Sequence, residues 1–130
     1  VRIHDYFANI ERGIREKRKI GFLAQPILAL AFDEHHGLFR ASVYFWDGSQ
    51  LNLEEVVSTE HGYPEILRYS YTYTKGTTHI FRYDNAPHHR EISTFPHHKH
   101  LGSAETPMPA EKPSLAQVFA EIEAHLVAGS

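Results

Sequence analysis

The chain has 130 residues, 42% of them apolar, which is enough for one globular core and too few for two, so positions 1–130 are expected to form one domain. Thirteen Lys and Arg against sixteen Asp and Glu give a formal charge of −3 with histidine neutral, which excludes the uniformly basic character of a purely electrostatic nucleic-acid binder. There is no cysteine, so disulfides, thiolate nucleophiles and thiolate metal sites are excluded as well.

In chain order, Ile3, Phe7, Ile10 and Ile14 fall at the spacing of one helical face, and the spacing predicts an amphipathic N-terminal helix. Its end carries Arg15, Lys17, Arg18 and Lys19, cations suited to the negative end of a helix dipole and a candidate phosphate-facing patch. From Ile20 the period changes to two. Leu28, Leu30 and Phe32 alternate with small residues, and Phe39, Ala41, Val43 and Phe45 alternate with Arg40, Ser42, Tyr44 and Trp46, the pattern of half-buried strands. Asp47-Gly48 suits a tight hairpin turn, and Leu51, Leu53 and Val57 continue the apolar face beyond it.

Next, Leu67, Tyr69, Tyr71 and Tyr73 are expected on one face of a strand, and after a Lys75-Gly76 turn His79, Phe81 and Tyr83 on one face of another. A tyrosine row of this kind can stack bases, but more often it covers a core with its hydroxyls at the rim. Tyrosine-rich sheet edges also suit a homodimer. At the end, Ser114 with Gln117 forms a capping box, and Leu115, Val118, Phe119, Ile122 and Leu126 line one face of a C-terminal helix. The expected architecture is therefore α+β: a meandering antiparallel sheet of about five strands, with an N-terminal and a C-terminal helix packed on it.

Between sheet and last helix lies a proline-punctuated stretch, opening with "YDNAPHHREISTFPHHKH", that holds five of the eleven histidines. A metal site is one reading of it: His98 and His100 at i, i+2 point the same way from an extended chain, and His88 or His89 supplies a third imidazole. The partner carboxylates or thiolates of recognisable zinc registers are missing, so no metal or other cofactor is expected. Metal-free phosphoryl transfer asks for one imidazole as base, another as acid and a fixed cation. His88 or His89 and His98 or His100 supply the pair, with Lys99 as phosphate clamp, Arg82 or Arg90 assisting, and Tyr83, Asn85 and His97 as further substrate contacts. With RNA the ribose 2′-hydroxyl is an internal nucleophile, so none is required of the protein. Against this stands the plainer reading that adjacent histidines fall on opposite sides of an extended chain, leaving only some to face any pocket. Pro87 and Pro96 restrict the backbone and favour a fixed path for the segment.

The residues 81–102, "FRYDNAPHHREISTFPHHKHLG", resemble the signature of the TumE-type toxins of prokaryotic toxin-antitoxin modules. A DG turn, an "LRYSY" strand and a terminal "PSL" helix follow the expected order along most of the chain. Arg90 departs from the proline often found there, freeing the backbone and adding a cation. The resemblance implies a small toxin encoded beside a helix-turn-helix antitoxin that neutralises it by direct binding. The expectation is thus a type II toxin acting as a metal-independent endoribonuclease on RNA. A non-enzymatic toxin that occupies a nucleic-acid-processing target, and a histidine-coordinated metal-dependent nuclease, are the alternatives. The longest apolar run, Ile27 to Phe32, is too short to span a bilayer and no signal peptide is evident, so a cytoplasmic protein without a membrane partner is expected.

Overall fold

The four isoleucine and phenylalanine positions of the first helical pattern are all buried, which fixes α1 (Ile3–Arg15) against the sheet by one face. The structure is a computed structural model and describes residues 1–103 and 106–128. Among the described residues, eight strands follow α1: β1 (Gly21–Leu23), β2 (Leu28–Ala31), β3 (His36–Phe45), β4 (Ser49–Ser58), β5 (Glu65–Lys75), β6 (Thr78–Asp84), β7 (His98–Leu101) and β8 (Met108–Pro109). They make one antiparallel sheet in the order β1-β3-β4-β5-β6-β7-β8, with β2 also paired to β3. The helix α2 (Leu115–Ala128) closes the chain, and its Ser114–Gln117 capping box forms with reciprocal hydrogen bonds of 2.8 and 3.1 Å. Among the described residues, no helix is long and apolar enough to cross a membrane.

The α+β class and the placing of both helices agree with the sequence pattern, while the strand number is eight instead of about five. The three additional strands are β1, β7 and β8. They are short, and β7 reads His-Lys-His-Leu, so none carries an apolar alternation long enough to stand out. Two β-bulges also move residues off their expected faces. In β5 the pairing jumps from Arg68 to Ile66, so Leu67 is left exposed and Ile66 turns to the core instead. In β6 the pairing jumps from Phe81 to His79, which leaves His79 exposed and turns Ile80 inward.

Both helices lie on one face of the sheet. There Phe39, Leu53, Tyr71, Tyr73 and Phe81 are buried with Ile14 of α1 and Phe119 of α2. The tyrosines are core residues of a central strand, and their hydroxyls find partners: Tyr73 donates to Ser49 Oγ at 2.7 Å and Tyr71 to Glu55. They do not form a sheet edge, so the pattern that suggested a homodimer is used inside the fold. The alternate residues, among them Arg40, Ser42, Asn52, Ser70, Thr72 and Arg82, face the open side of the sheet.

Candidate functional site

The segment 85–97 leaves β6 and returns as β7, a wide hairpin whose register sets Asp84 opposite His98 and Arg82 opposite His100. Because side chains alternate along a strand, these four share the open face, while Tyr83, Lys99 and Phe81 share the helix-covered face. Asn85 locks the start of the loop: its carboxamide accepts from Tyr69 N at 3.0 Å and donates to Leu67 O at 3.0 Å, across the β5 bulge. The loop then brings His89 back over the strand ends with φ of 61°, a left-handed conformation that costs a non-glycine residue about 1–2 kcal/mol. Its imidazole lies 5.6 Å from the ring of His98 and 6.1 Å from that of His100, and those two rings are 5.0 Å apart.

Asp84 and His98 are the buried centre of this group, with side chains 5% and 3% exposed. Asp84 accepts from Ala86 N at 3.0 Å and pairs with Arg82 Nε at 3.0 Å, donors that suit an ionised carboxylate. His98 donates from Nδ1 to Pro96 O at 2.9 Å, which leaves Nε2 facing Asp84 Oδ1 at 2.9 Å. Both ring nitrogens of His98 thus stand beside oxygen atoms, one of a backbone carbonyl and one of a carboxylate. His100 Nε2 stands 3.9 Å from Asp84 Oδ2, too far for a hydrogen bond. Burial lowers the pKa of His100 below the usual histidine value, and nearby His98, Arg82 and His89 lower it further against the opposing pull of Asp84. The ring therefore tends to be neutral, with a lone pair to offer a proton or a metal ion. A ligand atom of Asp84, one of His98 and one of His100 all lie within 4.8 Å of one another. A cleft bounded by Glu54, Arg68, Ser70 and Arg82 opens onto Asp84 from the open face.

The comparisons agree with the motif that builds this hairpin. The family model described as toxin TumE matches residues 14–126. The chain belongs to the TumE toxin family. No curated protein and no solved structure matches it significantly. As a member of a toxin family it has a cognate antitoxin as its implied partner.

The TumE motif residues separate into two groups in space. His89, His98 and His100 come together with Arg82 alongside. His88 is exposed, its ring 6.5 Å from that of His89. Lys99 points to the opposite face, where it binds Glu121 Oε2 at 2.7 Å and lies 4.8 Å over the ring of Tyr83. Burial pulls its pKa down, but Glu121 and Tyr83 outweigh it and the net shift is upward. Tyr83 donates to the same Glu121 at 2.6 Å. His97 stacks on Tyr69 and meets its hydroxyl at 2.9 Å, also on the helix side. Arg90 lies 5.3 Å over Phe95, and Asn85 is buried in the backbone bridge described above.

Two acidic side chains outside the histidine pattern also stand at these clefts, and each leaves a signal in the sequence. Asp84 stands inside "FRYDNAPHH" and shares the period-two face of Arg82, which is a legible signal for a carboxylate on the site side. Glu55 interrupts the inward apolar series Leu51, Leu53, Val57. It is 2% exposed, accepts from the hydroxyls of Tyr6 and Tyr71, and lies in a cleft between α1 and α2. Lys112 reaches the same cleft, 5.4 Å over Tyr71; burial lowers its pKa and Glu55 opposes that shift.

Proposed function

We propose that this TumE-family chain works in the cytoplasm as a single-domain endoribonuclease toxin, with the Asp84, His89, His98, His100 cluster as its reactive centre. The observation that carries the reading is the convergence of three imidazoles and a buried carboxylate at the rim of an open, polar sheet face. RNA supplies its own nucleophile. The 2′-oxygen attacks phosphorus while its proton passes to a base, and the bond from phosphorus to the 5′-oxygen breaks as that oxygen takes up a proton. The products carry a 2′,3′-cyclic phosphate and a 5′-hydroxyl. His89 and His100, the two partly exposed rings, supply base and acid when no metal is bound, while buried His98 positions Asp84 and His100. Arg82, exposed beside Asp84, meets the phosphate, with Arg90 further along the loop. Lys99, turned away and held by Glu121, serves the fold. The partner is a helix-turn-helix antitoxin that binds the toxin directly.

Single-stranded RNA incubated with the purified chain tests the reading. Cleavage leaving 2′,3′-cyclic phosphate ends is expected, and His89→Ala should slow it about 100-fold with the circular dichroism spectrum unchanged. Intact RNA, or cleavage indifferent to His89→Ala and His100→Gln, would overturn it in favour of a toxin that acts by binding.

A further inference from the structure

We infer that Asp84, His98 and His100 bind one divalent transition-metal ion, Zn²⁺ or a close relative, in a three-ligand site with an open position. The inference concerns the same cluster as the proposed RNA cleavage and deepens that reading. The ligand atoms already converge, all within 4.8 Å of one another. Bonds of about 2.0–2.2 Å from a tetrahedral Zn²⁺ set neighbouring ligand atoms about 3.3 Å apart. The contacts of Asp84 with His98 Nε2 at 2.9 Å and with His100 Nε2 at 3.9 Å bracket that spacing.

The donor chemistry points the same way. His98 Nδ1 is committed to Pro96 O, an outer contact that fixes the tautomer and aims the Nε2 lone pair at the site. Asp84 is oriented independently by Ala86 N and Arg82 Nε. The result is an imidazole nitrogen and a carboxylate oxygen 2.9 Å apart on two buried side chains, placed as neighbouring corners of the shell of a cation bound by both. Two imidazoles and one carboxylate suit Zn²⁺, Mn²⁺ or Fe²⁺ better than Mg²⁺ or Ca²⁺, which prefer all-oxygen shells. His100, partly exposed, and the cleft beside Arg82 give the ion an entry path and leave a coordination position for water or a phosphate oxygen. His89, held over the site, then remains the proton carrier.

Zn²⁺ titrated into the full-length, metal-stripped chain is expected to bind one ion per chain, and Co²⁺ in its place should give the visible absorption of a low-coordinate site with nitrogen ligands. His98→Ala and Asp84→Ala should each weaken Zn²⁺ about 100-fold or more, and so should His100→Gln, the more conservative change at the least buried ligand. His88→Ala should leave affinity unchanged. Absence of stoichiometric binding, or affinity untouched by His100→Gln in a folded protein, would overturn the inference. The two proposals fail separately: RNA cleavage that survives chelation, with no ion bound, removes the metal and keeps the nuclease. A tight, ligand-dependent Zn²⁺ site in a chain that cuts no RNA does the reverse.

Discussion

His36 and His98 are both imidazoles held between acceptors, one near the solvent-exposed end of β3 and the other in the buried floor of the β6–β7 hairpin. His36 meets Asp33 through Nδ1 at 2.9 Å and Glu60 through Nε2 at 3.1 Å, so its carboxylates sit on opposite sides of the ring and converge on nothing. The hydrogen bond with Asp33 raises its pKa most; desolvation opposes that, and the charges of Asp33 and Glu60 add to the upward shift. A proton is the sufficient answer there, since water screens whatever charge remains. At His98 the backbone takes one nitrogen, and the other joins Asp84 and His100 around a common point, with the His98 and Asp84 side chains themselves buried. Similar residue types thus give a surface ion pair in one region and a candidate reactive centre in the other. Burial and convergence make the difference.

Exchanging the carboxylates of the two regions should break the symmetry most strongly. Asp84→Asn is expected to reduce RNA cleavage about 100-fold or more, whereas Asp33→Asn should leave the rate unchanged, both read as initial rates on the same RNA. Stability should separate the regions next. In the metal-free chain, His98→Ala leaves Asp84 buried without its imidazole and should cost about 3 kcal/mol in urea unfolding, while His36→Ala should barely move the midpoint.

These contrasts separate what local sequence dictates from what depends on strand pairing. The spacing of Ile3, Phe7, Ile10 and Ile14, the Asp47-Gly48 hairpin and the Ser114–Gln117 box are local signals, and each element formed where its own residues dictate. The bulges at Leu67 and Ile80 were not legible, because period-two alternation continues through them on paper while the backbone slips by one residue. Within the histidine segment the residue types single out the β6–β7 hairpin, but sidedness depends on register. Only the pairing of Tyr83 with Lys99 and of Asp84 with His98 turns Lys99 toward Glu121 and brings Asp84 into the cluster. A charge in an apolar series, as at Glu55, is the kind of local exception that merits attention in the sequence itself.

Glu55 offers a smaller test of burial. Glu55→Gln should destabilise the chain by about 1–3 kcal/mol, because the paired acceptor oxygens that receive the Tyr6 and Tyr71 hydroxyls become one acceptor and one donor, and Lys112 loses its counter-charge. The smallest effect should come from pH at the exposed pair. With its folded pKa raised, the contribution of His36 is fully present below its unfolded value near 6.5 and is lost as pH rises through the folded value. Thermal midpoints of wild type and His36→Gln should therefore differ slightly at about pH 5.5 and coincide at about pH 8.5.

The most direct test of the central claim is the end-group chemistry of RNA exposed to the wild-type chain and, in parallel, to Asp84→Asn. Fragments ending in 2′,3′-cyclic phosphate from the wild type, and almost none from the folded variant, are the predicted result. RNA left intact by the wild type, or the same fragments produced equally by both proteins, would contradict a reactive centre at the Asp84–His98–His100 cluster.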